Sequence, residues 1–459
     1  MNGFKIWEKI LNNLKNIKPK IAIITIKNSY NYGGVFAKLK IVHDFCTKYF
    51  DPTIFCLSFD KDISASIKSF RFFSKTKEVK FFDMNYVHIG AKWAFWESGH
   101  YKYTKSLWQK RLQNYDYVWV VSGNPIPAYP LVKLNKKFAM WVASDYLQDR
   151  EQRIKKLSYF RYFLHKLNFN KILKMEREIL QKADFIWALS KYTHKRFEAI
   201  LGAQRENMFI CNFPMQIELE AQMQTQVKIK AQENLINNKI SNLKNNLSKT
   251  KIIIAVGRFS DPRKNIRMLV RVFNWMSKTM PDLKLYVIGS KPEKKDLVNF
   301  VNFECYKNII FTGQVSDQEL QNYYQIADLM LITSYQEGLG IVGLQALSCG
   351  IPVIATNCGG TRDFIVNGKN GYLVKINDDQ DMAEKALNLL QSDSLHKEFS
   401  DFAIEFIKDN FSIKKAENLF KVGLTRVYPE LKELFNEDSS DWTRLYSQNQ
   451  QTQMENFSE

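Results

Sequence analysis

The sequence predicts an α/β protein of two doubly wound, parallel-sheet lobes, each of Rossmann-like design. Three observations predict it. Short, wholly apolar runs recur along the chain, as expected of strands buried on both faces. Several of these runs lead through a glycine-containing turn into a helical pattern, the order of a strand–turn–helix crossover. The third is size and punctuation. At 459 residues the chain exceeds what one hydrophobic core normally serves. A polar, Gln- and Asn-rich stretch over 216–250 interrupts the pattern near its middle. The expected division is 1–215 for an N-terminal lobe, 216–250 for a linker with a helical insertion, 251–427 for a second lobe, and 428–459 for a helix end and polar tail.

The first expected strand is 20–26. Asn28-Ser-Tyr-Asn-Tyr-Gly33-Gly34 follows, then a helical pattern over 35–49. This turn lacks the third glycine of a dinucleotide fingerprint, so NAD is a poor fit. Strands are expected at 53–58 and 79–82. Residues 86–112 are aromatic and basic, with Trp93, Phe95, Trp96, His100, Tyr101, Tyr103 and Trp108 among Lys92, Lys102, Lys105, Lys110 and Arg111. Such a stretch can stack a sugar or meet lipid head groups, but aromatics are more often core. Expected strands at 115–121 and 137–143 end in Ser122-Gly-Asn-Pro125 and Ser144-Asp145. Carboxyl ends of strands line the ligand crevice of an open α/β sheet. Asn124, Ser144 and Asp145 are therefore ligand-facing candidates. A helical stretch over 148–182, a strand at 184–190, a helix capped by Ser190 and a strand at 208–214 complete the lobe.

The second lobe opens on a strand at 251–257, which runs into Gly257-Arg-Phe-Ser-Asp-Pro-Arg-Lys-Asn265. Strands at 283–289 and 308–312 and a helix at 317–325 follow. Residues 328–360 are the most informative stretch. They read as a strand (328–335), the loop Glu337-Gly-Leu-Gly340, a helix (341–348) ended by Gly350 and Pro352, and a strand (351–356) ending at Gly359 and Gly360. Glycines let a ligand approach the main chain, and free N–H groups at a helix start attract an anion. Glu337 would repel a phosphate there. It is better suited to accept hydrogen bonds from hydroxyls attached to one, and a phosphate beside a polyol is a sugar nucleotide or a phosphorylated sugar. An ordinary βα crossover with a solvated Glu is the plainer alternative. A short helix, a strand at 371–374 and helices over 382–427 follow, and the tail after 438 is polar enough for disorder.

At these residues the chain resembles the retaining, nucleotide-sugar-dependent glycosyltransferases of the GT-B architecture, in the large family 4 type (glycosyl transferases group 1). That family carries Glu, seven residues, Glu, then a small-residue helix and a C-G-x-P-V strand. Here the first Glu is Glu337, the second position is Gln345, and Cys349-Gly-Ile-Pro-Val353 is the strand. The resemblance runs from about residue 251 to 390, and more weakly over the N-terminal half. It implies two lobes facing across a cleft, with the last helices crossing back to the first lobe. It assigns Arg258 and Lys264 to the donor diphosphate, and Glu337 to donor-sugar hydroxyls. The amides of Gly338, Leu339, Gly340, Ile341 and Val342 would hold sugar and phosphate. Gln345 would stand where a Glu binds the ribose, Gly33 and Gly34 would face the donor phosphates, and Asn124, Ser144 and Asp145 would lie on the acceptor side. Many relatives carry a histidine near this last group and this chain does not.

The chemistry agrees with the assignment. Fixed cations stabilise charge that develops on a departing diphosphate. Arg grips phosphate bidentately while Lys acts as a point charge, each contact contributing roughly 1.5–3 kcal/mol. In the reaction the resemblance implies, a diphosphate oxygen takes the acceptor's proton. Glu337, Arg258 and Lys264 then carry the catalysis without a dedicated base, divalent metal or cofactor. The nucleotide sugar is a co-substrate.

Composition bounds the partners. The formal charge of +19 favours an anionic partner, whether nucleotide, nucleic acid or acidic membrane surface. No nucleic-acid motif supports the second of these. The six cysteines form no Cys-x-x-Cys pair and read as free thiols of a reducing compartment. No apolar run reaches membrane-spanning length, and no secretory pattern opens the chain. Residues 4–17 carry a helical stripe of Phe4, Trp7, Ile10, Leu11, Leu14 and Ile17 among Lys5, Lys9 and Lys15. It reads equally as an interfacial helix on anionic lipid or a helix docked on the protein's own surface. The expectation is hexose transfer to a lipid-linked or cell-envelope glycan, in the cytoplasm or at the inner face of the membrane. The alternatives are a catalytically inactive GT-B partner protein, and a phosphorolytic or epimerising enzyme on the same fold.

Overall fold

Runs of β-branched and aliphatic residues form the central strands of each sheet, which are buried almost throughout. The computed structural model describes residues 18–26, 33–65, 72–92, 100, 104–154, 158–215, 250–300 and 304–435. It divides into two compact units. One holds the chain to Leu189, Thr193–Cys211 and the residues from Glu417 on; the other holds Ser190–Tyr192 and Asn212–Ala416.

In the first unit, β1 (Lys20–Ile26) leads to α1 (Gly34–Tyr49), β2 (Asp51–Ser58), β3 (Thr76–Phe81), β4 (Met84–Gly90), β5 (Tyr117–Ser122) and β6 (Ala139–Val142). Then come α2 (Tyr146–Ile154), α3 (Tyr159–Lys182), β7 (Phe185–Ala188), α4 (Lys191–Leu201) and β8 (Met208–Ile210). The sheet order is β3-β4-β2-β1-β5-β6-β7-β8. All pairs are parallel except β3 with β4.

The second unit runs β9 (Ile252–Val256), α5 (Ile266–Thr279), β10 (Lys284–Ile288), β11 (Ile309–Gly313), α6 (Asp317–Ile326), β12 (Leu329–Ile332), α7 (Ile341–Ser348), β13 (Val353–Thr356) and β14 (Gly371–Val374). The helices α8 (Asp379–Gln391) and α9 (Asp393–Asn410) follow, then α10 (Ile413–Val427). The sheet is wholly parallel, in the order β11-β10-β9-β12-β13-β14.

The chain rejoins the first unit within α10, earlier than the boundary expected at 427. The reason is an aromatic seat. Phe420 lies 4.9 Å from Trp119, 5.1 Å from Trp141 and 5.9 Å from Trp187, centroid to centroid. A β-carbon on Gly423 would come within 2.1 Å of the Trp187 ring, so only glycine lets the helix approach this closely. The Trp187 indole donates to Leu419 O at 3.1 Å. Farther on, the Tyr428 hydroxyl accepts from Val118 N and donates to Lys137 O, both at 2.9 Å.

Four expectations need correction or placement. β4 was not foreseen as a strand, because its residues fell inside the aromatic, basic stretch; the structure buries it between β2 and β3. The single helix expected over 148–182 is two, α2 and α3. The helix expected after Gly360 is a short 3₁₀ turn, Gly360–Asp363. Of the aromatic stretch, Trp108 is core at 1% exposure, while residues 93–99 and 101–103 lie outside the described residues, as do the 4–17 stripe, residues 216–249 and the tail. All six cysteines are free, five of them buried. Among the described residues no helix is long and apolar enough to cross a membrane.

Candidate functional site

In the second unit the strand order turns between β9 and β12, and such a switch point opens a crevice at the carboxyl ends of its two strands. The loop after β9 and the loop after β12 meet there. Asp261 accepts from Arg263 N at 3.1 Å and starts a 3₁₀ turn, Pro262–Lys264. Asn265 takes a left-handed conformation, φ 47°, and caps α5 through Met268 N. This turn lays the Lys264 stem across Gly257, where a β-carbon would sit 3.2 Å from Lys264 Cε. Lys264 Nζ then donates to Glu337 Oε1 at 2.5 Å.

The pair is largely enclosed, with side-chain exposures of 18% for Lys264 and 12% for Glu337. Ser334 Oγ donates to the same Glu337 oxygen at 2.5 Å. Burial alone would push the Glu337 carboxyl up. The Lys264 charge and hydrogen bond, the Ser334 hydroxyl and the Arg263 charge outweigh it and hold the group below the usual carboxylate range. Arg263 ties the two loops together: its guanidinium donates to Asp261 Oδ2 at 2.9 Å and Gln336 Oε1 at 3.2 Å, and its carbonyl accepts from Tyr335 N at 2.7 Å.

The loop 337–340 rests against the loop after β13. Glu337 N donates to Cys358 O and Gly360 N to Glu337 O, both at 3.0 Å. A β-carbon on Gly360 would fall 2.3 Å from Gly338 O, so the close approach demands glycine. Gly340, at φ 92°, opens α7. Helix geometry leaves the Ile341 and Val342 amides without a partner inside α7, where they can meet a ligand, whereas Gly343 N donates to Gly340 O at 2.8 Å.

Of the sequence-derived donor residues, the structure brings Lys264 and Glu337 into contact and sets Gly338, Leu339, Gly340, Ile341 and Val342 beside them in chain order. Arg258 stands exposed on the same β9 loop. Gln345 is half-buried in α7, and its Oε1 accepts from the Tyr324 hydroxyl at 3.2 Å. Gly33 and Gly34 lie exposed at the start of α1 in the first unit.

Asn124, Ser144 and Asp145 do come together at the ends of β5 and β6, but their polar atoms serve the fold. Ser144 donates through N and Oγ to Gly123 O at 2.9 and 3.1 Å. Asn124 Oδ1 accepts from Ile126 N at 3.2 Å. Asp145 is fully buried; Oδ1 accepts from Gln148 N and Oδ2 from Arg196 Nε, at 2.9 and 3.0 Å. Short polar residues after a strand cap the next turn as readily as they bind a ligand.

Sequence reasoning missed Ser334, Arg263, Tyr324 and Lys38. Ser334 and Arg263 flank residues already chosen, so a wider window would have caught them. Tyr324 has no local signal. Lys38 reads as one more helix lysine, yet it is 1% exposed and donates to Ser122 O at 2.7 Å and Trp141 O at 3.3 Å. Burial lowers its pKa to about 7.

Residues 237–406 match the family described as glycosyl transferases group 1. The chain is 31% identical to N-acetyl-alpha-D-glucosaminyl L-malate synthase of Bacillus anthracis over 166 residues, which is 36% of this chain and 42% of that one. It thus spans about half the length, or less, of such curated relatives. Solved structures share the fold, and two of them serve as examples. Sucrose-phosphate synthase from Thermosynechococcus elongatus superposes with a TM-score of 0.67 at 15% identity, covering 90% of this chain and 99% of that one. HepE of Anabaena, in complex with UDP and glucose, gives 0.63 at 16%, covering 88% and 99%. The fold is that of the GT-B glycosyltransferases.

Proposed function

We propose that this chain, whose residues 237–406 belong to glycosyl transferases group 1, transfers a hexose from a nucleoside diphosphate to an acceptor hydroxyl with retention at the anomeric carbon. The observation that carries the proposal is the Lys264–Glu337 pair at the strand switch point, beside the N-terminus of α7. Both hydrogen bonds to the Glu337 carboxylate fall on Oε1; among the described residues none falls on Oε2. That oxygen suits a donor-sugar hydroxyl.

In the proposed reaction the bond from the anomeric carbon to the diphosphate oxygen breaks as the acceptor oxygen bonds that carbon on the same face. A diphosphate oxygen takes the acceptor's proton. Lys264, Arg258 and the α7 N-terminus meet the charge left behind. These groups make a divalent cation unnecessary, and turnover undiminished by EDTA is the expected result. The UDP and glucose held by the structurally similar HepE support a sugar-nucleotide donor. The basic charge supports a lipid-linked or envelope glycan acceptor at an anionic membrane.

The test is a thermal-shift screen of nucleotide sugars, followed by transfer assays on envelope lipid extracts with the stabilising donor. Transfer that depends on Lys264 and Glu337 is expected. Gln345 favours a second reading, a non-catalytic sugar-nucleotide binder, because a neutral amide replaces a charged acceptor. Donor binding without transfer to any acceptor would select it.

A further inference from the structure

The first turns of α3 expose large apolar side chains that a helix in water would hide. Tyr159 is 90% exposed, Tyr162 48%, Phe163 51% and Leu167 58%. At about 100° per residue these four fall on one face, within an arc of roughly 140°. The same arc carries the exposed cations Lys166, Lys174 and Arg177. The opposite face is core: Ile172 and Ile179 are fully buried and Met175 nearly so. The helix has two acids and neither offsets the cations on this face. Glu176 is buried and accepts from Tyr146 N at 2.7 Å, and Glu178 is paired with Lys133 at 2.6 Å.

We infer that this face of α3 is a docking surface for an anionic lipid bilayer. Tyrosine and phenylalanine settle at the head-group level, leucine reaches the acyl boundary, and long cationic side chains keep their charges at the phosphates. The charge argument selects the occupant: a basic arc without a free acid, on a chain of net charge +19, complements an anionic surface rather than a neutral one. The inference rests on α3 alone and stands whether or not the donor-site reading does. It names α3, and not the 4–17 stripe, as the contact.

Vesicle co-sedimentation of the full chain tests it, with phosphatidylcholine alone and with phosphatidylcholine containing phosphatidylglycerol. Wild type should sediment with the anionic vesicles, weakly with the neutral ones, and less at high salt. Lys166→Gln/Lys174→Gln/Arg177→Gln should weaken partitioning about 100-fold, at about fivefold per cation. Tyr159→Ser/Phe163→Ser/Leu167→Ser should fall to background, whereas Trp7→Ser/Leu11→Ser/Leu14→Ser should keep most of the binding. Unchanged melting temperatures confirm that the α3 variants fold, as expected for exposed positions. Any one of three results overturns the inference: α3 variants that bind like wild type, a wild type that ignores anionic vesicles, or α3 variants that change only the oligomeric state.

Discussion

Replacing Lys264 with Met tests the site as an electrostatic unit. The change leaves Glu337 enclosed with Ser334 as its remaining close donor. Removing one partner of a buried ion pair costs about 3–5 kcal/mol, because the other charge loses its compensation. The second unit has about 200 residues, for which each kcal/mol shifts the melting temperature by about 2–4 °C, so a drop of about 10 °C at pH 7 is expected.

The sign of the pH response should also invert. In the wild type Glu337 titrates below the usual carboxylate range. Its contribution is therefore present above that range and lost as pH falls through the lowered value. Without Lys264, burial raises the group, and its penalty grows as pH rises past the usual range. Scanning fluorimetry from pH 4 to 8 should show the gap between variant and wild type closing toward acid. A variant that melts with the wild type at every pH would refute the idea that the pair is energetically coupled. Kinetics give an independent check: one lost charged contact to the leaving diphosphate, roughly 1.5–3 kcal/mol, predicts a fall of about 10- to 150-fold in kcat/KM.

Three further outcomes are expected. Glu337→Ala should abolish transfer, by about 1,000-fold or more in kcat, in a coupled diphosphate-release assay; near-normal turnover would remove its role. Gln345→Glu should preserve or tighten donor binding in calorimetry, while Tyr324→Phe frees the Gln345 oxygen and should change donor KM by about two- to tenfold with little change in kcat; a large loss of affinity in Gln345→Glu would end the ribose assignment. Lys38→Met should remove a pH-dependent component of stability. With Lys38 lowered to about 7 in the folded chain, the unfolded chain binds more protons above that pH, so wild-type stability rises from about pH 7 toward the usual lysine range, by up to about 5 kcal/mol. Urea melts should show the Met variant without that rise, and parallel curves would contradict it.

The second sheet was legible because its strands are buried on both faces and announce themselves as apolar runs. Expected at 251–257 and 283–289, they stand at Ile252–Val256 and Lys284–Ile288, and the helix expected at 341–348 is Ile341–Ser348. β4 was hidden because Tyr86 and His88 interrupt its apolar character, while its place beside β2 depends on a long-range pairing. The partner of Asp145 was hidden for the same reason. Its position after a strand is local, but Arg196, which donates to its carboxylate, lies 51 residues later.

What the sequence settled by itself was local: where apolar runs form strands, where glycines permit tight loops, and which charged residues follow those strands. Periodicity and backbone freedom are properties of neighbours in the chain. Which charges meet was decided by the tertiary structure. Lys264 and Glu337 are 73 residues apart and touch because β9 and β12 lie side by side. The same packing buries Lys38 and leaves the α3 aromatics bare, since a side chain's exposure depends on what the rest of the chain brings against it.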